Sequence, residues 1–149
     1  LFFVSFSATG AGTNSSTDDS AKTSDQIIKL YELAEKHIDN QKYDKSLKLL
    51  KKLTKREDLG TKRADIYNLL GFSYRKLENP DLDKSFAAYM MAIEIDPSHL
   101  GAHEYLGELY LMRDQKDKAV IILKKLDQLA GSNTEEYKEL KIAIDAYQS

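Results

Sequence analysis

Apolar residues recur along most of this chain at three- and four-residue steps, the spacing that gathers them on one face of an α-helix. Ile27, Leu30, Tyr31, Ala34 and Ile38 form the first such face. A polar turn, Asn40-Gln41-Lys42, leads into a second, where Tyr43, Leu47, Leu50 and Thr54 lie on one line with Ser46, Leu49 and Leu53 beside it. Leu59-Gly60 closes this pair, glycine being the usual left-handed stop. The next pair is expected near Thr61 to Leu77 and Asp83 to Ile95, broken at Glu78-Asn79-Pro80-Asp81. Asp96-Pro97-Ser98 stops it, because proline cannot continue a helix and Ser98 can cap the following one. A third pair covers Leu100 to Arg113 and Asp117 to Leu129, around the turn Asp114-Gln115-Lys116. After Ala130-Gly131-Ser132 a last helix runs from Thr134 to Tyr147, with capping-box spacing in Asn133 and Glu136 or Ser132 and Glu135.

The chain before the first helix has a different character. Residues 1–12 open with the apolar, uncharged run Leu1 to Ala8 and continue into Thr9, Gly10, Ala11 and Gly12. This pattern matches the distal half of a secretory signal, with small residues permitting cleavage after Ala11 or Ser7. The run is far shorter than the ~20 apolar residues that a membrane span requires. Residues 13–24 contain no large apolar side chain, so burial cannot offset the entropy of ordering them, and a disordered leader is expected. Ser24 or Asp25 then offers an N-cap for the first helix.

The 149 residues fit a single domain with a real core, and the absence of cysteine excludes disulfides and thiolate metal sites. A net charge of −2 gives no general reason to expect nucleic acid or an anionic membrane as partner. Charge is uneven, however: residues 42–63 hold nine Lys or Arg against Asp44, Glu57 and Asp58, a net of +6. Its part from Lys42 to Arg56 is read as the solvated face of a second-of-pair helix, with contact to an acidic partner or a lipid headgroup as the functional alternative.

Superposing the pairs gives a repeat of about 34 residues, with three residues inserted before the second copy and two in its turn. The second copy supplies Tyr67, Leu70, Gly71, Tyr74, Ser85, Tyr89, Ala92 and Pro97. The third supplies His103, Leu106, Gly107, Tyr110, Ala119 and Leu123, but has Leu126 where a small residue is usual and no proline. The first is weakest, with Leu30, Leu33, Ala34, His37, Ser46, Leu50 and Leu53. On these residues the chain resembles the tetratricopeptide repeat (TPR) family. The resemblance implies an all-α fold of three helix-turn-helix pairs in a right-handed superhelix, about residues 27–60, 64–99 and 100–133, with residues 134–149 as a capping helix. One pair cannot bury its apolar face alone, so stacking and a final cover are needed. Tyr137, Leu140, Ile144 and Tyr147 suit the inner face of that cover, and Lys138, Glu139, Lys141 and Asp145 the outer.

The segments Leu106-Gly107-Glu108-Leu109-Tyr110 and Glu135-Glu136-Tyr137-Lys138-Glu139-Leu140-Lys141 are also similar to a group of small exported bacterial TPR proteins. Members of that group often carry cysteines before the Glu-Glu-Tyr segment. Gly131-Ser132-Asn133-Thr134 stands there instead, so no thiol role carries over.

The resemblance places a concave groove on the first helices of the pairs. Its expected lining is Ile28, Tyr31, Glu35, Ile38 and Asp39, then Asp65, Asn68, Phe72, Arg75 and Lys76, then Gly101, Glu104, Glu108, Leu111 and Met112. The candidate partner-binding residues are Tyr31, Glu35, Asn68, Phe72, Arg75, Lys76, Glu104 and Glu108. Aromatic anchors within a charged rim suit a peptide. Glu35, Glu104 and Glu108 argue against the carboxylate clamp of chaperone-tail-binding relatives. His99 and His103 are four apart with Glu104 adjacent, a spacing open to metal, but the repeat assigns His103 to packing and His99 to the helix entrance. No metalloprotease, phosphate-loop, dinucleotide or nucleophile-elbow pattern occurs. The sequence therefore reads as a non-catalytic protein- or peptide-binding module without cofactor or metal, an envelope or periplasmic scaffold or adaptor. A self-associating structural repeat, or an auxiliary subunit of an enzyme or export complex, is the alternative. The location becomes cytoplasmic if the leader is not an export signal.

Overall fold

The structure, a computed structural model, describes residues 16 to 148. The expected signal-peptide remnant lies outside the described residues. Seven helices follow one another, with no strand among the described residues: α1 (Ser16–Asp39), α2 (Tyr43–Leu53), α3 (Lys62–Arg75), α4 (Leu82–Ile95), α5 (Leu100–Met112), α6 (Lys116–Ala130) and α7 (Glu135–Ala146). Each packs on the next, and α1 with α3, α3 with α5 and α5 with α7 also touch. The odd-numbered helices thus form one wall of the array and α2, α4 and α6 the other.

One boundary differs clearly from expectation. Residues 16 to 24, expected within a disordered leader, continue α1 as helix. Propagation explains this: once the packed segment nucleates a helix, each added residue gains one hydrogen bond. No Gly or Pro stands between Ser16 and Ser24 to stop it.

The turns inside the first and third pairs share one geometry. Gln41 and Asp114 have φ of 56° and 57°, the left-handed conformation at a helix C-terminus. Lys42 N donates to His37 O at 2.7 Å and Gln115 N to Tyr110 O at 2.9 Å, the wrap that satisfies carbonyls left open by the helix end. The two extra residues in the second pair replace this wrap with a wider turn, in which Asp81 N donates to Tyr74 O. Asp81 Oδ1 then caps α4 by accepting from Lys84 N. Ser24 and Asp25, expected to cap the first helix, lie inside α1, and two further caps differ from expectation. His99, not Ser98, caps α5, its Nδ1 accepting from Ala102 N at 3.1 Å, while Ser98 turns back onto Asp96. Thr134 caps α7, because its extended backbone brings Oγ1 to within 3.4 Å of Tyr137 N.

The core runs the length of the array in three clusters. Leu50, Leu53 and Ile66 centre the first, Tyr89, Leu106 and Leu109 the middle, and Leu126, Leu140 and Ile144 the last. Close approach depends on two glycines. A β-carbon at Gly71 would stand 2.6 Å from the ring of the fully buried Tyr89, and one at Gly107 would stand 2.5 Å from Leu140. Ser85 Oγ donates to Gly71 O at 2.8 Å and holds the same crossing from the α4 side. Leu126 fits where a small residue is usual because its neighbour is the single covering helix α7 rather than another pair. The lysines of α2 are exposed; Lys51 lies 5.3 Å over the Tyr74 ring.

Candidate functional site

The wall made by α1, α3, α5 and α7 carries two adjoining cavities, with Tyr105 lining both. The first, about 450 Å³, is formed by Glu35, Ile38 and Asp39 of α1, Leu69 and Phe72 of α3, and Tyr105. Its floor is aromatic: Phe72 and Tyr105 lie 5.0 Å apart at 46°, and Tyr43 of α2, outside the cavity, meets Phe72 edge-on at 6.3 Å. The second, about 400 Å³, is formed by Asn68, Gly101, Glu104 and Tyr105 with Glu135, Glu136 and Glu139 of α7. No lysine or arginine lines either cavity; the first joins an apolar floor to the carboxylates of Glu35 and Asp39, and the second is lined mainly by carboxylates.

Arg75 holds the floor from beneath. It is 6% exposed, ion-paired with Glu108, and its guanidinium lies 5.3 Å from the Tyr105 centroid and 5.6 Å from that of Phe72. Burial opposes its charge, but neighbouring Tyr89 and Glu108 outweigh that and hold the guanidinium more firmly protonated than usual. Burial in turn pushes the Tyr89 phenol up to about 12. Glu104 has the opposite balance. Burial, then the adjacent charges of Glu108 and Glu136, push its carboxyl up to about 8, while Arg75 pulls it the other way.

Of the eight candidate residues, Glu35, Phe72, Asn68 and Glu104 line the cavities. Lys76 is exposed beside them, its ammonium 5.5 Å over the Phe72 ring. Two are corrected. Tyr31 is 9% exposed within the first core cluster, since α1 and α3 close over its ring, and Lys62 covers it at 4.7 Å. Arg75, with Glu108 as its counter-ion, is a buried support rather than a free groove cation. Leu111 also packs in the last core cluster instead of facing the groove. Asp65 is engaged by His99, whose Nε2 lies 3.1 Å away, and His103 Nε2 lies 3.0 Å from Pro97 O. Both histidines thus tie loops to helices. Among the described residues no cluster of three His, Cys, Asp or Glu is placed to hold a metal ion.

Sequence reasoning missed Leu69, Tyr105 and the acidic face of α7. The signal for the last was present: Glu135, Glu136 and Glu139 share one side of the first turns of a helix. What could not be read was that this side meets Glu104 across the α5–α7 contact.

No family model matches the chain. It is 29% identical over 113 residues to ETO1-like protein 2 of Arabidopsis thaliana, a match covering 76% of this chain. The matched part spans only 12% of that protein's length. Among solved structures, the first TPR of Spaghetti (RPAP3), bound to the HSP90 peptide SRMEEVD, superposes with a TM-score of 0.69 at 17% identity, covering 85% of this chain and 98% of that one. The Yersinia enterocolitica type III secretion chaperone SycD, in complex with a peptide of the translocator YopD, gives 0.68 at 21% identity, covering 83% and 90%. MamA gives 0.66 at 20% identity, covering 87% and 72%. The architecture is therefore the tetratricopeptide fold, three helix-turn-helix pairs in a right-handed superhelix closed by α7.

Proposed function

We propose that this tetratricopeptide array is a non-catalytic module that binds an extended or helical peptide segment of a partner protein along its concave wall. The observation that carries the reading is the open aromatic floor of Phe72 and Tyr105, rimmed by the carboxylates of Glu35 and Asp39. Such a floor supplies anchors with little conformational entropy to lose, and the charged rim selects among sequences. Two proteins of similar fold, SycD and the Spaghetti domain, are seen with peptides bound. The peptide of the latter carries three acidic residues, which the carboxylates here would repel, so a different sequence class is expected. Panning a random peptide library should yield binders to this chain that lose affinity at least about tenfold for the Phe72→Ala variant. The variant should keep the helical circular dichroism of the parent. Binders indifferent to Phe72, and to Glu35→Lys, would place the binding surface elsewhere.

The proposed setting is the cell envelope or periplasm, with the module acting as scaffold or adaptor. This rests on the apolar run Leu1 to Ala8 followed by small residues, and no described helix is long and apolar enough to cross a membrane. Cell fractionation with mass spectrometry of the N-terminus tests it. The protein should be recovered with the envelope or periplasm and begin after Ser7 or Ala11. A cytoplasmic form retaining Phe2 to Phe6 would overturn the assignment.

A further inference from the structure

The wall made by α2, α4 and α6 has a pattern of its own, set by one place in the repeat. Ser46, Ser85 and Ala119 hold equivalent places in the three pairs, and each is fully buried. At about 100° per residue, the places two, five and six further along the helix point the opposite way, out of the array. On α2 these are Lys48, Lys51 and Lys52. On α4 they are Ala87, Met90 and Met91, and on α6 Ile121, Lys124 and Lys125. All nine are exposed, Met90 by 43%, Met91 by 39% and Ile121 by 63%. The outer wall therefore presents an apolar seam edged by lysines on both sides, with no carboxylate at any of these places. None of the five lysines forms an ion pair among the described residues.

An exposed apolar strip rimmed by charge marks a contact surface, and its composition decides what it contacts. Protein interfaces concentrate aromatic residues and arginine and are poor in lysine. Here five of the nine are lysine, and none is aromatic or arginine. Nucleic acid or free phosphate would meet the lysines but leave the methionines and Ile121 in water. A bilayer with acidic headgroups meets both. Lysine ammonium groups reach the headgroup charge while their methylene stems, with the flexible methionine side chains, lie toward the acyl chains.

We propose that the outer wall of α2, α4 and α6 docks peripherally on an anionic lipid bilayer. Lys48, Lys52, Lys124 and Lys125 meet the headgroups, and Met90, Met91 and Ile121 enter the boundary with the acyl chains. No described helix is long and apolar enough to cross the membrane, so the contact stays at its surface. The opposite wall fixes the orientation. Its cavities are lined by Glu35, Asp39, Glu104 and the glutamates of α7, which an anionic surface repels. The groove thus faces away from the bilayer, open to a partner. Docking does not depend on that groove being a peptide site, and each can fail without the other.

Flotation of the whole chain with lipid vesicles provides the test. Vesicles of phosphatidylcholine and phosphatidylglycerol in equal parts should bind the protein at least about tenfold more tightly than phosphatidylcholine alone, and added salt should weaken the binding. Each lysine near an anionic leaflet raises partitioning about fivefold, so K48E/K52E should lose at least about twentyfold. K29E/K36E makes the same change in net charge at exposed positions of α1 and should keep most of the binding. Met90→Ser with Met91→Ser should lose several-fold at fixed salt. All three variants change exposed residues, and each should keep the helical circular dichroism of the parent. No preference for the anionic vesicles, or equal losses in the two lysine variants, would overturn the assignment. So would full binding by the methionine variant, or polyglutamate binding as tightly as the vesicles, since either would give the wall to an acidic protein.

Discussion

Gly71→Ala is expected to destabilise the protein by about 2 kcal/mol, although alanine is the better helix former by roughly 1 kcal/mol. The added methyl would lie 2.6 and 2.7 Å from two ring carbons of Tyr89 and 3.1 Å from the Ser85 carbonyl oxygen. Tyr89 is fully buried and cannot swing aside, and the Ser85 carbonyl belongs to the α4 backbone. The crossing of α3 and α4 must therefore widen, which also strains the Ser85-to-Gly71 hydrogen bond. Chemical denaturation of Gly71→Ala, Tyr89→Leu and the double variant separates this cause from a general loss of packing. A branched, smaller side chain at Tyr89 leaves room for the methyl, so the double variant should recover roughly 1–2 kcal/mol relative to the sum of the singles. Strict additivity would show that the close approach is not what requires glycine here.

Arg75→Met is the second large effect, about 3 kcal/mol, because it leaves the Glu108 carboxylate without its buried partner and Tyr105 and Phe72 without the cation beneath them. The loss should depend on pH through Glu104. A carboxyl whose folded pKa is raised to about 8 binds its proton more tightly in the folded chain than in the unfolded one. Its contribution is fully present below the unfolded value, near pH 4.5, and is lost as pH rises through about 8. Arg75 pulls that pKa down, so removing it raises the cost of ionising Glu104. Urea melts should show a greater loss for Arg75→Met at pH 8.5 than at pH 6, and Arg75→Lys should retain part of the stability. An equal loss at both pH values would mean that Arg75 does not act on the ionisation of Glu104.

Both effects bear on what can be read from a chain without coordinates. Gly71, Gly107, Ser85 and Ala92 are recognisable as the small positions of a helical pair, because a repeat needs them at fixed offsets whatever surrounds it. The helix spans, too, follow from apolar residues at 3- and 4-residue steps and from turn residues between them. Caps are less legible: Ser98 and His99 compete for one helix start and Ser132, Asn133 and Thr134 for another, and the winner is set by backbone angles that the next helix imposes.

The groove divides along the same line. Place in the repeat assigns a side chain to one face of its own helix, and by that criterion Tyr31, Phe72 and Arg75 are alike. Their fates differ because burial depends on how near the next helix comes and what that helix carries. α3 closes on Tyr31, Glu108 of α5 neutralises Arg75, and Phe72 is left lining the cavity with Tyr105. The acidic second cavity depends most on such contacts, since Glu104 and Glu136 are 32 residues apart and meet only where α7 covers α5. Periodicity within a helix is a local property, set by 3.6 residues per turn, and it carried the architecture of three pairs and a cap. The distance between helices is set by non-local packing, and that distance turns a row of groove positions into buried supports, an aromatic floor and an anionic recess.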